Sequence, residues 1–501
     1  MKTYIFAIGG TGSRVLKSLT MLLAGGVVPD TTEIIPIVID PDQHAGDFTR
    51  TEKILKAYKD IHDEIGRFNS NNSFFQTPIN YNNGNLRIDI TDITDNKAHV
   101  IPFKDYIDIG KMTDIDDIGN SHPDGNSALA SILFSEKNLN ADMTLGFKGN
   151  PNMGSVVLNQ FIGTNEFNAF TANFQQGDRI FIISSIFGGT GASGFPLLLK
   201  NLRNLSPATP NAKFIKDAKI GAVTVLPYFM LTPDTKSQIQ SSTFISKTKA
   251  ALSYYIKNIY KNKTNSNGID AIYYLGDSNN KVFDNVEGGA RQKNNAHFIE
   301  LAAAMGIVDF INTSDGQFST DVTIEKRYGI KNYDANSGIY FEDLDDTSKS
   351  LIAKNLSQFM LFGKYMQHIN YFPKCGDNGN VWNKDGGKNQ VFYGPDNKKL
   401  ENLFFNLKDM FGHFNEWIDE MRNNNVSFHP FNENNDDDND LFGFINKRHS
   451  SDRFVNTLNF VAKRNWDKMD DRLNREAKNR MDGTAQQFAE IFYLATKELL
   501  K

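Results

Sequence analysis

Apolar residues along this chain fall into two alternating patterns. Short runs rich in β-branched and aromatic residues read as strands: TYIFAIG (3–9), EIIPIVID (33–40), RIFIISSI (179–186), AKIGAVTVLPYF (218–229) and DAIYYLGD (270–277). Between them, SRVLKSLTMLLAGG (13–26), PLLLKNLRNL (196–205) and STFISKTKAALSYYIKNIY (242–260) carry apolar residues three and four apart and read as helices. NAHFIELAAAMGIVDFINT (295–313) is apolar all round, which predicts a long buried helix. Strands without polar alternation, separated by helices, predict an α/β fold with a Rossmann-like parallel sheet covered on both faces.

The second half has a different pattern. SGIYFEDLDD (337–346) reads as one more strand and its exit loop. Beyond it, the segments 347–366, 397–422, 451–481 and 485–500 carry helical periodicity, so the C-terminal region is expected to be largely helical. The run NENNDDDND (432–440) lacks the spaced ligands, glycine and terminal Glu of a calcium loop and reads as a solvated loop.

Composition narrows the class. At 501 residues the chain is long enough for two or three domains. A formal net charge of −5 leaves no basic footprint for nucleic acid. The single cysteine, Cys375, excludes an internal disulfide framework and fits a reducing compartment. No run of about 18 apolar residues predicts a membrane span, and the short apolar N-terminus lacks the features of a signal peptide. A soluble, cytoplasmic protein is expected.

The candidate chemistry lies in two glycine turns. AIGGTGSRVL follows the first strand and opens the first helix; IFGGTGASGFP follows the third strand and opens another. Backbone N–H groups at a helix N-terminus form an anion site, and glycine lets a phosphate oxygen reach them. Gly9, Gly10, Thr11, Gly12 and Ser13 form the first candidate group; Gly188, Gly189, Thr190, Gly191, Ala192 and Ser193 form the second. In an open parallel sheet both turns share the edge formed by the strand C-termini, so they should converge on one ligand. Asp40, ending the second strand, stands where an acid would hold a ribose hydroxyl. Taken alone, the first turn also reads as a dinucleotide fingerprint, and glycines at strand–helix junctions also serve close packing. No GxxxxGK[ST] motif occurs.

The second turn resembles the GGGTGSG signature of the tubulin/FtsZ superfamily. Its Gly-Gly-Thr-Gly core is intact, with Phe187 where a small residue is usual in that family and Ser193 where its next Gly is expected. Other motifs follow in order. AIGGTGSRVL resembles the family's first glycine loop, and VIDPDQ its loop after the second strand. GFKGNPNMGS, with Gly149 and Asn150, is similar to the loop that senses the terminal phosphate, and VTVLPYF to the strand after the signature.

The resemblance covers about the first 350 residues. It implies a tubulin/FtsZ-type nucleotide-binding domain over 1–294, a central helix over 295–313, and a second domain with a helical extension over 314–501. It implies GTP or GDP with Mg²⁺, a base or ribose contact from Asn279, and base stacking on Phe298. By family analogy the catalytic acids are Glu342 and Asp345 of IYFEDLDD, with Tyr340 where the family has Asn, preceded by an extra stretch at 314–337. It further implies head-to-tail self-assembly, each subunit's acids meeting the next subunit's nucleotide, and leaves the helical C-terminus available to a dedicated protein partner. Two other readings stay open: a nucleotide-binding scaffold without turnover, and an NAD(P) oxidoreductase built on the first turn.

Overall fold

The structure, a computed structural model, describes residues 1–42, 44–66, 73–82, 84–88, 102–107, 109, 113–115, 121–123, 125–143, 146–147, 149–233, 243–262, 265, 267–277, 282–286, 289–326, 338–385, 389–424, 426–431, 465–477 and 482–500. Its principal elements in the first half are β1 (Lys2–Ile8), α1 (Gly9–Ala24), β2 (Glu33–Ile39), α2 (Gly46–Ile65), α3 (Pro151–Leu158), β3 (Arg179–Ser185), α4 (Thr190–Arg203), β4 (Ile220–Val225), α5 (Phe244–Asn258) and β5 (Ala271–Leu275). The second half contributes α6 (Phe298–Asn312), β6 (Ile324–Lys326), α7 (Asp346–His368), α8 (Glu401–Arg422), α9 (Asn465–Ala477) and α10 (Ala485–Leu499).

The six strands form one sheet in the order β6-β5-β4-β3-β1-β2, every neighbouring pair parallel. Successive side chains of a strand point to opposite faces, and every residue of β3 and β4 is buried, so both faces are covered. The expected parallel α/β architecture is present, with a helical C-terminal region after it.

α6 packs on α1, β4 and β5 and is buried along nearly its whole length. It starts at Phe298, three residues later than the pattern suggests, because His297 and Glu300 close a capping box. The Ile299 amide donates to His297 Nδ1 at 3.0 Å, and the His297 amide donates to Glu300 Oε2 at 3.0 Å. The C-terminal helices fold back onto the first: α8 and α10 pack on α2, and α7 on α1. Phe74 stacks on Phe362 of α7, with ring centroids 5.1 Å apart, and meets Tyr493 of α10 edge-on. The buried apolar residues form one continuous cluster from Tyr4 to Leu500.

One strand is misplaced by the sequence reading. The described residues 338–342 form no strand: Ile339 makes a single bridge with Phe428, and Phe341–Asp343 turns as a short 3₁₀ helix. The turn is fixed where the Tyr340 amide donates to Asp343 Oδ2 at 2.9 Å. The sixth strand is instead β6, three residues inside the stretch read as an insertion. Of the helix expected at 451–481, the described part is α9, and the run 432–440 lies outside the described residues. Among the described residues no helix is long and apolar enough to cross a membrane.

β2 is the outer strand on one side. Beyond it, the described residues of 78–88 meet β2 through two parallel bridges, Ile34–Ile79 and Val38–Arg87. Pro36 sits midway between these bridges and has no N–H to offer.

Candidate functional site

β1 runs into α1 with no loop between them. Gly9 makes the reversal at φ +70°, in the left-handed region that favours glycine, and a Cβ there would lie 3.3 Å from Thr190 Cβ. β3 ends at Ser185 and α4 begins at Thr190. A third turn, Gly149–Asn150, leads into α3, and a Cβ on Gly189 would lie 3.0 Å from its Gly149 amide. The N-termini of α1, α3 and α4 are thereby brought together. None of the three carries a side-chain cap hydrogen bond. Leading helical N–H groups have no intrahelical acceptor and carry the positive end of the helix dipole, so three in one place suit an anion.

They meet at a cavity of about 280 Å³. The cavity sits at the C-terminal ends of β1, β2 and β3, where strand order reverses between β1 and β3. Such switch points are where open parallel sheets bind ligands. Of the sequence-predicted residues, Gly9, Gly10, Thr11, Asp40, Gly149, Gly188, Gly189, Thr190 and Gly191 line this cavity.

Gly12, Ser13, Asn150, Ala192 and Ser193 stand behind the lining. Ser13 is wholly buried, and Ser193 Oγ donates back to Gly189 O at 2.7 Å. Phe298 is also off the wall: it is buried against Phe428, ring centroids 5.2 Å apart. Asn279 lies outside the described residues.

Several lining residues were not among the expected site residues, although Asp42 falls within VIDPDQ and Arg14 within AIGGTGSRVL. Asp42 closes one side: its Oδ2 accepts from the Gly289 amide at 2.6 Å, tying down the segment whose Arg291 and Lys293 reach the cavity. Arg14, one helical turn below the first glycines, is buried at the cavity floor. Its Nε donates to Glu300 Oε1 at 2.5 Å and its Nη1 to Asp47 Oδ2 at 2.5 Å; its Nη2 donates to Tyr228 Oη at 2.7 Å and Thr11 Oγ1 at 3.3 Å. With most of its donors engaged, Arg14 holds the floor together.

The same ionic layer continues to the C-terminal region. Glu420 of α8 accepts from Lys17 Nζ at 2.8 Å, from Arg50 and from the Ala296 amide at 2.9 Å. Burial opposes ionisation of Glu420, but Lys17 and Arg50 hold its pKa below the usual carboxylate range.

Asp40 behaves in the opposite way. Burial pushes its carboxyl up to about 7, with Asp42 and Asp47 adding to the rise and the Asp42 amide, 3.1 Å from Asp40 Oδ1, and Arg87 opposing it. Lys247 of α5 donates to Gly149 O at 2.8 Å, and burial lowers its pKa. It places a cation beside the third turn. Lys247→Met is expected to weaken binding of inorganic tripolyphosphate by about 1 kcal/mol, roughly fivefold, and to flatten its salt dependence in a calorimetric titration.

The two expected acids lie elsewhere. Neither Glu342 nor Asp345 lines the cavity. Glu342 is half-buried in the 3₁₀ turn. Asp345 caps α7, its Oδ1 accepting from the amides of Thr347 and Ser348 at 3.0 Å each.

No protein family's sequence model matches this chain, and no curated protein does. Among solved structures it is similar to CetZ2 from Haloferax volcanii, a GTPγS-bound protofilament, at 12% identity and a TM-score of 0.29, over 62% of this chain and 58% of that one. The chain thus spans less than two thirds of the length of that protein.

Proposed function

We propose that this chain is a tubulin/FtsZ-like, nucleotide-dependent assembly protein that binds GTP in the switch-point cavity and hydrolyses it at head-to-tail subunit contacts. The convergence of three helix N-termini without side-chain caps, on a cavity lined by both glycine turns, carries the reading. These amides would hold the phosphates and stabilise charge developing on the transferred phosphoryl group. Magnesium would be held mainly by phosphate oxygens and water, with Asp40 and Asp42 among the carboxylates that line the cavity, and would neutralise phosphate charge. Among the described residues no group of three ligating side chains forms a metal site by itself.

Glu342 and Asp345 lie off their own chain's cavity, as acids serving a neighbouring subunit's nucleotide would. On this reading Glu342 orients the attacking water. A heterologous contact of that kind builds filaments. The capping role of Asp345 favours one alternative, a binding scaffold without turnover.

Phosphate release from GTP, measured per chain over a range of protein concentrations, separates these readings. Specific activity is expected to rise steeply with concentration, and Glu342→Ala to abolish turnover while nucleotide binding survives. Asp345→Asn is the cleaner partner variant, since Asn caps a helix about as well as Asp. Constant specific activity would place the whole site in one chain and remove both acids from the chemistry. No release at any concentration would leave the scaffold.

A further inference from the structure

We propose that the apolar side of the cavity is the seat of a planar heterocyclic base, held by a β-ribbon that caps the sheet. The inference rests on the nucleotide reading above. After β4 and after β5 the chain forms a two-residue parallel ladder, Met230–Leu231 with Val282–Phe283, extended by the Thr232 amide donating to Phe283 O at 2.9 Å. Each strand of the ribbon delivers one side chain to the cavity, Leu231 from the first and Phe283 from the second.

Behind them stands an aromatic stack. Phe229 meets Phe283 edge-on, with centroids 5.5 Å apart at 90°, and Phe187 at 5.5 Å and 80°; Phe244 lies 4.9 Å from Phe187. Phe187, Phe229 and Phe244 are buried, while Phe283 is only half-buried at the cavity surface. Edge-to-face packing fixes ring orientations and makes a rigid apolar wall.

The wall is continuous with the anion end, since Phe187 directly precedes Gly188 of the second turn and both line the cavity. One cavity therefore offers helix N-termini at one side and phenylalanine rings at the other. A ligand matching both has a polyanionic end and a flat apolar end, which describes a nucleotide and not a bare phosphate. Phe298, the ring expected to stack a base, is closed off against Phe428. The ribbon supplies the stacking surface in its place.

Calorimetric titration of the full chain with inorganic pyrophosphate, GDP and ADP tests this, using wild type, Phe283→Ala and Phe283→Tyr. Phe283 is half-buried on a surface ribbon, so its replacement should leave the fold intact. Wild type is expected to bind the better of the two nucleotides at least tenfold more tightly than pyrophosphate. Phe283→Ala should weaken that nucleotide about tenfold, the usual scale of one base–aromatic stack, with pyrophosphate unchanged within twofold. Phe283→Tyr, which keeps a planar ring, should restore it.

Equal losses for nucleotide and pyrophosphate would overturn the proposal, as would an undiminished nucleotide affinity. Pyrophosphate binding as tightly as either nucleotide would also overturn it while leaving the anion site standing. Binding of none of the three would bring down the nucleotide reading itself, and this inference with it.

Discussion

Replacing Arg14 by methionine is expected to destabilise the protein by about 3–5 kcal/mol, the scale for breaking a buried ion pair from one side. Asp47 and Glu300 are both buried, and Arg14 faces them at 2.5 Å each. Methionine fills much the same volume but leaves two carboxylates in a low-dielectric site with their main counter-charge gone. Adding Glu300→Gln should recover part of the loss by removing one orphaned charge. Thermal unfolding midpoints of the single and double variants check this. A loss below about 1 kcal/mol for Arg14→Met, the range of exposed pairs, would mean that water reaches the cluster.

The second large effect is expected at Asp40 and depends on pH. Its carboxyl titrates at about 7 in the folded chain against 3.8 ordinarily. Between those values the folded state keeps a proton that the unfolded chain has lost. Stability therefore falls as pH rises through this window and levels off above 7. The total is on the order of 4 kcal/mol, at about 1.4 kcal/mol per pH unit. Asp40→Asn mimics the protonated form and can still accept from the Asp42 amide. It should match wild type near pH 4 and exceed it at pH 8 in unfolding midpoint. Ionised Asp40 also faces the anion site, so wild-type affinity for tripolyphosphate should drop above pH 7 and that of Asp40→Asn should not. Parallel stability curves for the two proteins between pH 4 and 8 would refute the burial argument.

The sequence discloses some of these features and conceals others for definite reasons. The first five strands are legible because burial on both faces writes itself as uninterrupted apolar runs. β6 is not, since three residues at a sheet edge leave no periodicity to detect. The glycine turns are legible as turns, but their glycines serve two ends. A Cβ on Gly191 would stand 2.7 Å from both the amide and carbonyl of Ser185, so that glycine is required by the turn itself, whatever binds there. Packing thus explains part of a pattern that read as a ligand cradle. The floor of the site is illegible in principle: Arg14 meets Asp47 and Glu300 across sequence separations of 33 and 286, and no local pattern encodes such a meeting. The aromatic wall is similar, because Phe187, Phe229 and Phe283 come from separate segments of the sequence that no local pattern links.

The interrupted outer edge of β2 bears on how copies of this chain can associate. With Pro36 lacking a donor and the described residues of 78–88 covering Ile34 and Val38, that side presents no continuous backbone ladder among the described residues, and β6 at the other side is three residues long. Among the described residues, neither edge offers a long template for adding a strand. A polymer of the kind proposed, joined through side chains on loops and helices, would be held by contacts that a change of ligand can weaken. Such a polymer can be taken apart again, whereas one zipped together along its sheets would be far harder to reverse.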